Sequence, residues 1–262
     1  MEIQYFKHYS NALGRDMECK VYGHKGKPVL FIPCQDGRYV DFENFKMIDE
    51  WAKWIEEGHA MVFSIDTVDK ETWSDQYGLP SSRINRHERW VHYIVDEFVP
   101  FMRNMANERN GWSGYPGIMV FGASMGANHS VNLFLRFPEI FDRMLAMSGI
   151  YNNSMFFGDY MDEVLYMNSP ALYLQNMQPS HPYVERYNNN KGIICTGQGA
   201  WEEPDTLRWL DTNFKRLGAD IWCDYWGYDV NHDWPWWYKQ VQYFVPKLLG
   251  LEYPVDIYPL CN

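Results

Sequence analysis

The chain has 262 residues, a formal net charge of −11 and a hydrophobic share of 46%. That share is average for globular proteins and excludes a disordered chain. The acidic balance excludes a nucleic-acid partner, because phosphate binding requires clustered Lys and Arg. No run approaches the roughly 18 apolar residues of a membrane helix, so no membrane partner is expected. We expect one domain over residues 1–262.

The first half of the chain alternates strand-like and helix-like segments. "MECKVYG" (17–23) predicts a half-exposed strand, and "KPVLFIP" (27–33) is a continuous apolar run typical of a strand buried on both faces. Apolar residues at spacings of three and four predict a helix that ends at Gly58. A strand over 60–66, a long helix over 84–106 and a buried strand over 117–122 follow.

The second half continues this alternation. The predicted order is a helix over 127–138, strands over 142–149 and 192–197, a helix over 204–218, a strand over 219–226 and a closing helix over 235–249, which we expect Pro246 to kink or end. This order predicts an α/β fold with a mostly parallel sheet covered by helices on both faces. Residues 151–191 are rich in Tyr, Met, Asn and Pro, and predict an irregular, lid-like insertion over the carboxyl ends of the strands.

The stretch "FGASMGANHS" (121–130) places a serine between two glycines, directly after a predicted strand and before a predicted helix. This is the G-x-S-x-G nucleophile elbow, in which the glycines permit a strained turn and the helix N-terminus directs a backbone N–H at a developing oxyanion. The alternative is a glycine-rich turn with an N-cap serine. The flanking strand and helix favour Ser124 as a nucleophile.

A nucleophilic serine requires a base, and His232 in "GYDVNHDWPWW" is the candidate. It lies in the loop after the last predicted strand, and loops at the carboxyl ends of parallel strands are where reacting groups collect. The alternative is a loop histidine that caps the following helix. His129 is the rival, but it falls inside the helix after the elbow and should point away from Ser124. His87 and His92 are expected to be structural, on a long surface helix.

The acid should follow the strand over 192–197, where "GQGAWEEP" supplies Glu202 and Glu203. The resulting order of Ser, Glu and His is that of the α/β hydrolases. Pro204 suits a first helical position, which makes Glu203 the N-cap residue and favours Glu202 as the acid. For the second oxyanion donor, the turn after the strand over 27–33 suggests the backbone amide of Gln35.

Five blocks of the chain resemble, in order, the esterase D-like branch of the α/β hydrolases: "VLFIPCQDGR", "RHERWVHYIVDEFVPFMR", "GASMGANHSVNLFLRFPEIFDRMLAMSG", "GQGAWEE" and "HDWPWW". This branch includes S-formylglutathione hydrolases, enterochelin esterases, mycolyl transferases, and feruloyl and acetyl-xylan esterases. The resemblance covers nearly the whole chain and implies an α/β-hydrolase fold. It also implies Ser124 as nucleophile, His232 as base, and Met125 and Gln35 as oxyanion amides. Many members have Asp where this chain has Glu.

The leading hypothesis is therefore a serine esterase that hydrolyses a carboxylic ester through an acyl-enzyme. Two alternatives stay open: transfer of the acyl group to an alcohol or sugar, and a non-catalytic binding module on the same fold. Aromatic residues near the proposed site suit stacking on a sugar ring or a phenolic acyl group, although most of the tryptophans could simply pack the last helix. The expected partner is a small-molecule or carbohydrate-linked ester, and the candidate substrate-binding residues are Phe156, Phe157, Trp201 and Trp234.

The five cysteines, Cys19, Cys34, Cys195, Cys223 and Cys261, form no C-x-x-C pair and no zinc-like spacing. We expect free thiols in a reducing, cytoplasmic setting, because the N-terminal "MEIQYFKHYS" lacks an apolar signal segment. Secretion of a longer precursor, from which a signal peptide has been removed, is left open. Neither a metal nor another cofactor is expected, because no His, Asp and Glu cluster has ligand spacing. An oligomer is left open.

Overall fold

One sheet organises the residues that the computed structural model describes, which are 1–251. Its strands are β1 (Ile3–Ser10), β2 (Arg15–Tyr22), β3 (Lys27–Ile32), β4 (Ala60–Ile65), β5 (Ile118–Ala123), β6 (Phe141–Met147), β7 (Lys191–Thr196) and β8 (Ile221–Tyr225). Their spatial order is β1-β2-β4-β3-β5-β6-β7-β8. The pairs β1–β2 and β2–β4 are antiparallel and the other pairs are parallel. The predicted α/β fold is confirmed, with one strand, β1, that the sequence analysis did not predict.

Most of the helices follow the predicted alternation. They are α1 (Asp41–Asn44), α2 (Met47–Glu56), α3 (Pro80–His92), α4 (Val99–Asn110), α5 (Met125–Arg136), α6 (Ser154–Phe157), α7 (Glu163–Met167), α8 (Pro170–Asn176), α9 (Pro182–Asn189), α10 (Pro204–Leu217) and α11 (Trp234–Leu249). The single helix predicted over 84–106 is instead α3 and α4 joined by a π-helical segment, Tyr93–Phe98. Pro246 lies inside α11 and does not end it. None of the helices within residues 1–251 is long and apolar enough to cross a membrane.

Alternating residues of the central strands pack against helices on opposite faces of the sheet. Val29 and Phe31 of β3 lie in one apolar cluster, with the buried residues of α2 and α11. Leu30 and Ile32 lie in the other, with buried residues of α3, α4, α5 and α10. A strand whose successive side chains point to opposite faces must be apolar throughout when helices cover both faces. This explains the continuous apolar runs of β3 and β5.

The sequence predicted an irregular insertion over residues 151–191. The structure instead has four short helices there, α6, α7, α8 and α9. Local signals start most of them. The Asp162 side chain caps α7 by accepting from the Leu165 amide, and Pro170 and Pro182 occupy first-turn positions of α8 and α9. Weak periodicity hid these helices because each is too short to repeat an apolar pattern.

Four of the cysteines lie within the described residues, and all four are free thiols. Cys19 and Cys195 are buried, whereas Cys34 and Cys223 are half-buried. Burial raises the pKa of the Cys19 thiol to about 12, which keeps it protonated at neutral pH. Cys261 lies outside the described residues.

Candidate active site

Ser124 occupies a strained turn between β5 and α5. Its backbone has φ 56° and ψ −124°, a conformation that non-glycine residues rarely adopt. Close backbone contacts explain the flanking glycines. A Cβ on Gly122 would lie 2.6 Å from the carbonyl carbon of Gly126, and one on Gly126 would lie 2.3 Å from the carbonyl oxygen of Ile32. The Ser124 side chain makes no capping hydrogen bond to α5, so the N-cap alternative does not account for its hydroxyl.

The loop after β8 brings His232 to the serine. His232 Nε2 lies 3.0 Å from Ser124 Oγ, within hydrogen-bond distance. The backbone N–H of His232 donates to the carbonyl of Ala200, and its ring meets the edge of Trp237 at 5.1 Å between centroids. The helix-capping alternative fails, because it is the Asp233 side chain that accepts from the first amide of α11.

Glu202 is the acidic side chain that faces His232. Its Oε2 lies 3.7 Å from His232 Nδ1, somewhat longer than a hydrogen bond. Glu202 is 9% exposed, and burial alone would raise the pKa of its carboxyl, but the nearby His232 ring and the hydroxyl donors around it outweigh burial and lower that pKa. Glu203 is exposed and is the N-cap residue of α10, as predicted, although its side chain makes no capping bond.

Three residues that the sequence analysis missed hold Glu202 in place. Ser148 Oγ donates to Glu202 Oε1 at 2.6 Å, and Thr196 Oγ1 donates to Oε2 at 3.0 Å. The Trp237 indole N–H donates in turn to Ser148 Oγ at 2.9 Å. Ser148 directly follows β6 and Thr196 ends β7, so a hydroxyl residue directly after the apolar residues at the carboxyl end of a strand was the signal available in the sequence.

The two proposed oxyanion amides belong to adjacent segments. Met125 is the first residue of α5, where a backbone N–H has no intrahelical partner. Gln35 lies in the loop after β3, and this loop passes close to the elbow because the carbonyls of Ile32 and Pro33 lie against Gly126. Within residues 1–251, neither backbone N–H donates to another protein group. The backbone N–H groups of Met125 and Gln35 are therefore free to donate.

The two phenylalanines of the insertion differ in exposure. Phe157 is 5% exposed, lies 5.2 Å from the Trp73 ring, and has the Arg83 guanidinium 4.5 Å from its own ring centroid. Phe156 is half-buried and meets Trp73 at 5.4 Å. Phe157 is thus packed into the base of the insertion, and only Phe156 retains an open face.

The two candidate tryptophans also differ in their surroundings. Trp201 is 87% exposed with φ 66°, in the loop that also carries Glu202. Trp234 stacks on Phe45 with ring centroids 4.5 Å apart and planes 5° from parallel. Trp201 therefore has an open ring in the loop that carries Glu202, whereas one face of Trp234 is already covered.

The other candidate histidines are not brought to Ser124. His129 Nε2 lies 2.9 Å from Asp69 Oδ1, and His92 is exposed beside Asp96. His87 is 1% exposed, because it lies on the buried face of α3, together with Ile84 and Trp90. Burial, together with neighbouring His129, lowers the pKa of His87 well below its ordinary value, so this ring is neutral.

Residues 10–247 match the model of the family described as "Putative esterase". The chain belongs to this esterase family. Membership supports a hydrolase that acts on esters. None of the curated protein sequences matches the chain.

Several solved structures share the fold over nearly all of the chain. A ferulic acid esterase is 12% identical with a TM-score of 0.71, and the match covers 95% of this chain and 98% of that one. The S-formylglutathione hydrolase of Staphylococcus aureus is 14% identical with a TM-score of 0.63, covering 95% and 97%. MPT51 of Mycobacterium tuberculosis is 12% identical with a TM-score of 0.67, covering 95% and 98%. At these identities the likeness is one of fold.

Proposed function

We propose that the protein is a serine esterase that hydrolyses a carboxylic ester through an acyl-enzyme, with Ser124 as nucleophile, His232 as base and Glu202 as orienting acid. The observation that carries this proposal is the 3.0 Å separation of Ser124 Oγ and His232 Nε2 at a strained strand-to-helix turn. Such strain is typical of functional sites and persists only where the surroundings impose it. The esterase family of the chain supports the same chemistry.

In the first half-reaction, Ser124 Oγ forms a bond to the ester carbonyl carbon while its proton passes to His232 Nε2. The carbonyl oxygen becomes an oxyanion, and the amides of Met125 and Gln35 are the donors that receive it. The bond from carbon to the alcohol oxygen then breaks, and His232 returns its proton to the leaving alkoxide. Glu202 stabilises the imidazolium and keeps the Nδ1 proton directed at itself.

In the second half-reaction, water attacks the acyl carbon as His232 takes a proton from it. The bond to Ser124 Oγ breaks, the proton returns to the serine, and a carboxylic acid leaves. If an alcohol or a sugar hydroxyl replaced the water, the same steps would transfer the acyl group. The competition between water and an added alcohol therefore distinguishes hydrolysis from transfer.

The aromatic side chains beside the site suggest an ester of a phenolic acid or a sugar as substrate. Trp201 offers an 87% exposed ring next to Glu202, and an exposed indole suits stacking on a flat ring or the apolar face of a sugar. Phe156 adds a half-buried ring from the insertion. A panel of acetyl, butyryl and feruloyl esters and acylated sugars, assayed with and without alcohol acceptors, tests this assignment.

The central test is Ser124→Ala, with Ser130→Ala as the matched control. Ser130 lies on α5, the helix that follows Ser124, and its hydroxyl donates to the Gly126 carbonyl. We expect Ser124→Ala to lose on the order of 10⁴-fold or more in kcat, whereas Ser130→Ala retains turnover. A fluorophosphonate should label the wild type at Ser124 and fail to label Ser124→Ala. Near-normal turnover by purified Ser124→Ala would disprove the serine mechanism.

A further inference from the structure

A buried pair outside the proposed triad connects the two segments that carry the proposed oxyanion donors. His129 lies one turn after Met125 on α5, and Asp69 lies in the loop after β4. His129 Nε2 is 2.9 Å from Asp69 Oδ1, and the two residues are only 3% and 1% exposed. A buried carboxylate is costly unless its oxygens are matched by donors, so the environment of this pair must be highly ordered.

Asp69 contacts the Gln35 loop by two routes. Its Oδ2 accepts from the Asp36 N–H at 3.4 Å, and its backbone carbonyl accepts from the Ser74 N–H at 2.9 Å. Ser74 Oγ then donates to Asp36 Oδ1 at 2.7 Å and accepts from Gln35 Nε2 at 2.7 Å. Since 3.4 Å is long for a hydrogen bond, the route through Ser74 is the tighter of the two. This route begins at the Asp69 backbone, whereas the Asp69 side chain joins Asp36 directly to His129.

The backbone of the Gln35 loop depends on these contacts. Asp36 has φ 62°, in the left-handed region that costs a non-glycine residue free energy. Thr67, from the same loop as Asp69, adds a third contact, because its N–H and its hydroxyl both donate to the Gly37 carbonyl. The loop after β4 therefore fixes a conformation that the Gln35 loop would not keep by itself.

The other end of the connection is equally rigid. The His129 ring stacks on His87 with centroids 4.9 Å apart, and meets Trp90 at 5.1 Å and Trp73 at 5.8 Å. Because these rings surround the His129 imidazole on several sides, they hold it in one orientation. The hydrogen bond to Asp69 thus joins a fixed point on α5 to a fixed loop.

We propose that Asp69 and His129 are positioning residues that fix the Gln35 loop relative to the first turn of α5, and thereby set the separation of the two amides that bind the oxyanion. The inference rests on the proposed serine mechanism. Oxyanion stabilisation requires both donors at hydrogen-bond distance from one atom. A displacement of about 1 Å in such a site can cost on the order of 10²-fold in rate.

Three variants test the pair. Asp69→Ala removes the carboxylate, and His129→Phe keeps the ring contacts but removes the hydrogen bond. Asp69→Asn is the conservative variant, because its oxygen can accept from Asp36 while its amide donates to the other imidazole tautomer. We expect kcat to fall by about 10- to 100-fold in Asp69→Ala and His129→Phe with little change in KM, and Asp69→Asn to stay close to the wild type.

A second measurement isolates the oxyanion contact. A trifluoromethyl ketone adds to Ser124 and places an oxyanion at the proposed donors, so its affinity should fall by the same factor as kcat/KM. The control is Asp142→Ala, which breaks the ion pair with Lys27. This pair lies at the amino-terminal ends of β3 and β6, opposite the ends that carry the site. This variant should lose stability and keep kcat per active site.

The outcomes separate the two proposals. If Ser124→Ala is inactive but Asp69→Ala and His129→Phe keep wild-type kcat and inhibitor affinity, the positioning role is wrong and the esterase mechanism stands. If Ser124→Ala stays active, the mechanism itself is wrong. Should the buried variants not fold, Ser74→Ala, at a half-buried position, removes the hydroxyl contacts to Gln35 and Asp36 that order the Gln35 loop. An unchanged kcat in Ser74→Ala would show that the order of this loop does not control catalysis, and would overturn the inference.

Discussion

Replacing Glu202 or its neighbour Glu203 with glutamine tests which of the two is the acid that orients His232. Glu202→Gln changes the side chain that lies 3.7 Å from His232 Nδ1, whereas Glu203→Gln changes an exposed side chain at the start of α10. The two substitutions are chemically identical and differ only in place. Any difference between the variants therefore reports the position of the side chain.

The structure indicates the size of each effect. Ser148 and Thr196 donate to the two oxygens of Glu202, and a glutamine has only one oxygen to receive them. Its amide N–H₂ at the Oε2 position would face His232 and favour the tautomer with a proton on Nε2, which cannot accept from Ser124. We expect kcat to fall by about 10²- to 10⁴-fold in Glu202→Gln. Because Glu202 Oε2 and His232 Nδ1 are 3.7 Å apart, farther than a hydrogen bond, we expect a kcat loss near the lower end of this range.

Glu203→Gln should change kcat less than about twofold and cost about 0.3–1 kcal/mol of stability through the helix dipole. The assay is steady-state hydrolysis of one ester by both variants, with active sites titrated, alongside chemical denaturation. A large kcat loss in Glu203→Gln with Glu202→Gln unaffected would refute the assignment and move the acid by one residue. Equal, small losses in both would show that neither Glu202 nor Glu203 orients His232.

The fold lowers the pKa of Glu202, so its charge stabilises the native state at neutral pH, and this stabilisation is lost as the pH falls below the ordinary value of 4.5 through the folded pKa. The gap in unfolding free energy between wild type and Glu202→Gln, from denaturant melts, should therefore narrow on acidification; a constant gap contradicts this. Ser148→Ala should lower kcat about tenfold by releasing one Glu202 oxygen, and its effect should vanish in a Glu202→Gln background; additive losses would argue against that link. Phe156→Ala should change KM between esters more than Tm, whereas Phe157→Ala should cost about 3–5 kcal/mol of stability; the reverse ranking would exchange their roles.

The sequence by itself determined the features that local pattern controls. Continuous apolar runs predicted β3 and β5, because a strand covered on both faces has no polar positions. The glycines around Ser124 predicted a turn in which backbones approach too closely for side chains. Chain order then selected His232 among the eight histidines of the chain, and the structure places it 3.0 Å from the serine.

Only the tertiary structure decided which side chains share an environment. Ser148 and Thr196 meet at Glu202 because β6 and β7 are neighbours in the sheet, and nothing local to either residue predicts that. His87 has a polar side chain, yet it is buried, and the rings of Trp73 and His129 from other segments pack against it. Turns and apolar periodicity depend on residues that are close in the sequence, so they could be predicted. Burial and strand adjacency depend on which distant segments pack together, so they had to be observed in the structure.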